Sequence, residues 1–74
     1  MPVSDAVAAE VRAELARQQI SGVRAAQRLG WTQNYISVRL RGAVPFSLAD
    51  LEVMADFLEV PVTQFFRASE PTRP

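Results

Sequence analysis

Between Ile20 and Gly42 the chain reads ISGVRAAQRLGWTQNYISVRLRG, two helix-length segments separated by a single glycine. Ser21 and Thr32 each stand immediately before one segment, where a side-chain oxygen can cap the free amides of a first helical turn. Ile20, apolar and just ahead of Ser21, occupies the position of a hydrophobic staple. Gly30 tolerates left-handed backbone, so the first segment, Gly22 to Leu29, is expected to end there and turn at Trp31, whose ring would cover the core at the corner. The second runs from Gln33 to Arg41 and stops at Gly42. Ala26, small and inside the first segment, lets the second cross it closely.

The flanking sequence supplies helices to pack against this pair. Val7, Val11 and Leu15 recur every four residues, which predicts a helix from about Asp5 to Gln19 with Ser4 as its cap and Glu10, Arg12, Glu14 and Arg17 on its other faces. After Gly42, Pro45 bars helix continuation through Ala43 to Phe46. Ser47 with Asp50 three residues on matches a capping box. Leu48, Leu51, Met54, Ala55 and Leu58 then form an expected core stripe, with Asp50, Glu52, Asp56 and Glu59 outside. Pro61 breaks the chain again, and Val62, Phe65 and Phe66 predict a short fifth helix that lids the core. The expected fold is all-α, a compact bundle of about five short helices in one domain, residues 1–68. Residues 69–74, SEPTRP, read as a tail or the start of a linker, which fits a complete small protein or the head of a longer one.

Composition narrows the function. A chain of 74 residues has room for one small core, and 49% hydrophobic residues is too many for disorder. No apolar run approaches the ~20 residues of a membrane-spanning helix, and the N-terminus lacks the pattern of a secretory signal. Without Cys or His there are no disulfides and no thiolate or imidazole metal sites. No Gly-rich phosphate loop and no serine beside a base is present, so neither catalysis nor a cofactor is expected. The formal net charge is zero, but residues 21–45 hold Arg24, Arg28, Arg39 and Arg41 and no acid, while both ends are net acidic. A basic middle of this kind is the asymmetry expected where one face meets phosphate.

Two helices joined by a tight turn form the unit that places a helix in the major groove of DNA. At about 100° per residue, Ile36 and Leu40 share one side of the second helix, and Gln33, Ser37, Val38 and Arg41, with Asn34 beside them, fall on another. Amide side chains pair with adenine, Arg with guanine, and Val packs on a thymine methyl.

From Val11 to Phe65 the chain resembles the Cro/C1-type helix-turn-helix domain, lambda-repressor-like, of phage repressors and bacterial regulators. The resemblance is carried by Ala26, Gly30, Thr32-Gln33, Tyr35-Ile36-Ser37, Gly42, Ser47-Leu48 and the run Ala55 to Val60. It implies a helix-turn-helix over residues 21–42, a recognition helix over 33–41, and a homodimer on a pseudo-palindromic operator of double-stranded DNA, in the cytoplasm and nucleoid of a bacterial host. By matched position it implies base contacts from Gln33, Asn34, Ser37 and Val38, with Arg41 at the groove edge. Phosphate contacts would come from Ser21, Thr32 and Tyr35, from the amides opening the first helix of the pair, and from the guanidinium of Arg39.

The chain departs from the family pattern at three places. An Arg in helix 1 and a Glu before the helix 3 glycine, which often pair, are here Leu15 and Leu40, so an apolar contact between them is expected. Arg39 stands where an apolar residue is usual, and Glu59 replaces a glycine. A transcriptional repressor is the leading reading. A DNA-binding antitoxin, or a helical adaptor that binds protein through Phe46, Phe57, Phe65 or Phe66, are the alternatives.

Overall fold

The computed structural model describes residues 3–69. Among these the fold is all-α: α1 Val3–Arg17, α2 Gly22–Leu29, α3 Gln33–Leu40, α4 Leu48–Leu58 and a closing 3-10 helix, Val62–Ser69. Helix α1 starts two residues before the expected Asp5, so Ser4 falls inside it rather than capping it. The expected tail, residues 69–74, lies outside the described residues except for Ser69, the last residue of the 3-10 helix. No helix among the described residues is long and apolar enough to cross a membrane.

Local chemistry sets the helix boundaries from the end of α1 to the end of α4. Ser21 and Thr32 have extended backbone, and their side chains accept from the amides of Arg24 and Tyr35. Ser47 and Asp50 close a reciprocal capping box, Ser47 Oγ accepting from Asp50 N–H and Asp50 Oδ2 from Ser47 N–H. At the other ends the four α-helices share one device, a left-handed residue at Gln19, Gly30, Gly42 and Glu59. The following amides, of Ile20, Trp31, Ala43 and Val60, reach back five residues to the carbonyls of Leu15, Ala26, Val38 and Ala55. This is the Schellman termination, which glycine adopts without steric cost. Glu59 thus keeps the turn despite replacing a glycine, and Gln19 does the same at the end of α1.

The core is assembled from all five helices. Its largest fully buried side chains, Val11, Ile36, Met54 and Phe65, come from α1, α3, α4 and the 3-10 helix. Burying Phe65 alone contributes about 2 kcal/mol. Helix α2 brings Ala25 and Ala26, whose small side chains let α3 approach. Leu15 is buried in this core and Leu40 packs against it. The polar link between α1 and α3 is made one turn earlier on α1, where Arg12 donates to the carbonyl of Leu40.

Two acids lie inside rather than outside. Asp50 is only 9% exposed, whereas Leu48, expected in the core stripe, is 61% exposed. The helical period alone does not separate them, since Asp50 falls beside Met54 at one edge of the stripe and Leu48 beside Ala55 at the other. Leu48 is the first residue of α4, whereas Asp50 is held in by Ser47, Tyr35 and Arg39. Glu14, expected on a solvated face of α1, is 5% exposed. Its carboxylate accepts from Arg17, Gln18 and Gln64, and Gln18 also donates to the Leu58 carbonyl at 2.8 Å. One buried carboxylate therefore ties α1 to the 3-10 helix, and its partner Gln18 ties α1 to the end of α4. Its pKa is lowered from 4.5, chiefly because Gln18 donates to it, with Gln64 and Arg17 adding to that effect against the opposing effect of burial.

Candidate nucleic-acid interface

Helix α3 is held from behind by Ile36, fully buried, and at its end by Leu40. The residues on its far side stay accessible: Gln33, Asn34 and Arg41 are exposed, and Ser37 and Val38 are half-buried. The structure thus brings the five predicted base-contacting residues onto one face. No acid lies in the first turn of α2 or of α3. Both N-termini therefore carry the positive end of the helix dipole without a neutralising side chain. Arg24 and Arg28 are exposed along α2.

Between α2 and α3 runs an open cleft of about 290 Å³. Gln33, Ser37 and Arg41 form its α3 wall, and Gly22 and Val23 its α2 wall. A side chain on Gly22 would meet Leu40 Cδ1 at 3.3 Å, so the small residue keeps α2 and the end of α3 close. Arg12 of α1 also lines the cleft. Periodicity puts Arg12 on an outer face of α1, and only the packing of α1 against the end of α3 brings it here. Val23, 49% exposed on the first turn of α2, was likewise missed. An apolar residue on a helix reads as core, so no signal in the sequence singles Val23 out.

The predicted phosphate-contacting residues divide into two pairs. Ser21 and Thr32 use their side-chain oxygens as acceptors in the caps, at 3.0 and 3.1 Å. Each hydroxyl hydrogen remains available for an outside acceptor. Tyr35 and Arg39 sit instead in a cluster on the flank of α3. The Tyr35 hydroxyl donates to Asp50 Oδ1 at 2.7 Å, and the ring stacks at a tilt against Trp31 with centroids 5.0 Å apart. The Arg39 guanidinium lies over the Tyr35 ring, 3.6 Å from its centre, and its Nη1 donates to the Tyr35 carbonyl at 3.0 Å. Its Nε is 3.4 Å from Asp50 Oδ2, an ion pair without hydrogen-bond alignment.

Asp50 is the hub of this cluster. Burial pushes its carboxyl pKa up, but hydrogen bonds from Tyr35 and Ser47, with the nearby Arg39 charge, outweigh burial and leave it lowered from 3.8. The Tyr35 hydroxyl is raised above 10.0, first because it donates to Asp50 and then through burial and the Asp50 charge. The aromatic residues named as protein-binding anchors are placed differently from an exposed patch: Phe65 is inside the core, and Phe46, Phe57 and Phe66 pack against it.

Comparison with known proteins agrees with this geometry. No curated protein and no solved structure matches the chain. The profile of one family, described as a helix-turn-helix domain, matches residues 6–65, which spans α1 to the middle of the 3-10 helix. The chain belongs to the helix-turn-helix domain family.

Proposed function

We propose that the chain is a sequence-specific double-stranded DNA-binding regulator of transcription, most simply a bacterial or phage repressor. It lays α3 in the major groove and binds a pseudo-palindromic operator as a homodimer. The observation that carries this reading is the acid-free outer face of α3, where Gln33, Asn34, Ser37, Val38 and Arg41 stand together beside the two capped N-termini. The amides and hydroxyls at Ser21 and Thr32 fix the domain on phosphates either side of the groove. Gln33 and Asn34, at the leading end of α3, then read base edges through paired donor and acceptor groups. Ser37 and Val38 contact bases deeper along the helix, and Arg41 closes the contact at the groove edge.

Selection of bound sites from random duplexes tests this reading. The expected result is an enriched site with two related half-sites about one helical turn apart, at 10 to 10.5 base pairs centre to centre or a multiple of that. No enrichment, together with duplex affinity indifferent to salt, would contradict it.

A further inference from the structure

The cluster on the flank of α3 holds a cation close to the reading face yet keeps it turned inward. Tyr35 and Arg39 are four residues apart on α3, and Arg39 neighbours Val38, one of the proposed base readers. The Arg39 side chain is only 18% exposed, although arginine is strongly favoured at a protein surface. Its surroundings satisfy it incompletely: Nη1 has the Tyr35 carbonyl, but the buried Nε has no hydrogen-bond partner. An unsatisfied N–H of this kind is unfavourable. Two attractions hold the guanidinium inward, the face of the Tyr35 ring and the charge of Asp50, and Asp50 also orients that ring through the tyrosine hydroxyl.

We propose that Asp50 is a specificity-determining positioning residue, whose carboxylate withholds Arg39 from the DNA backbone so that binding depends on the exposed face of α3. The proposal rests on the DNA-binding reading and says which arginine that reading should leave out. A cation on phosphate strengthens binding to every sequence alike, so retaining it inside the protein lowers non-specific affinity and raises the ratio of specific to non-specific binding. The same carboxylate caps α4 through Ser47. The start of α4 and the restraint on Arg39 are therefore set by one side chain.

The test is the salt dependence of binding to a random-sequence duplex, measured by fluorescence anisotropy for the wild type, Asp50→Asn, Arg39→Gln and the double variant. Asparagine keeps an acceptor for the Ser47 amide and removes the charge, its NH2 taking the place of the oxygen that accepts from the Tyr35 hydroxyl, which can turn to accept instead, and a thermal melt checks that it folds. Releasing one arginine to phosphate steepens the slope of log K against log salt by about 0.9, so Asp50→Asn should lose roughly 3-fold more affinity than the wild type between 50 and 200 mM salt. Arg39→Gln alone should keep the wild-type slope, and the double variant should return to it. A steep slope that persists in the double variant would assign the effect to the lost acid rather than to Arg39 and overturn the proposal. So would an unchanged slope in Asp50→Asn, or a shallower one in Arg39→Gln, which needs no change at Asp50. A wild type without duplex affinity sinks the DNA reading and the proposal together, whereas normal wild-type binding with any of the other results overturns the proposal alone.

Discussion

Single residues carry strain and charge that stability measurements can read. Gln19 and Glu59, both at φ 59°, hold left-handed backbone that disfavours a Cβ. Both are exposed at helix ends. Gln19→Gly and Glu59→Gly should therefore each stabilise the fold by about 1 kcal/mol, read as a higher melting temperature. Destabilisation by either would mean that the side chain, and not the backbone, holds the turn. Glu14 and Asp50 make stability depend on pH. Because the folded state lowers both carboxyl pKa values, the unfolded chain binds more protons as the pH falls through their ordinary range, 4.5 and 3.8. Their contribution is complete above those values and is lost progressively below them. Glu14→Gln should flatten the fall in stability between about pH 5 and about pH 2; an unchanged fall would show that Glu14 does not cause it.

At the scale of elements, the helix pair was legible from its ends inward. Ser21, Gly30, Thr32 and Gly42 placed α2 and α3 to within a residue, because caps and left-handed stops are local chemistry that needs no knowledge of the rest of the chain. The five predicted base-contacting residues share a face for a similarly local reason, the period of one helix anchored by Ile36. What the sequence left hidden was tertiary. Charge alone put Asp50 and Glu14 on the solvated faces, yet Glu14 falls beside Val7 in the stripe of α1 and Asp50 at the edge of the stripe of α4, and each is buried with its own set of donors. Tyr35 and Arg39 followed the same rule: as isolated residues they suit phosphate, and only the approach of α4 gives them an internal partner. Arg12 reaches the cleft because α1 passes the end of α3, which no periodicity in α1 announces.

For the molecule as a whole, a formally neutral chain presents a basic, acid-free helix pair on a scaffold that carries all the acids, two of which, Glu14 and Asp50, are buried. Its small core is closed by Phe65 and by the Glu14 network, while Gln33, Asn34 and Arg41 on the outer face of α3 are exposed. We propose that this face reads sequence. Titration of Gln33→Ala against the selected site and against random duplex tests it most directly. The expected result is a loss of about 1 to 3 kcal/mol on the selected site, relaxed preference at one base position, and little change on random duplex. Equal losses on both would contradict it and reduce Gln33 to a general contact.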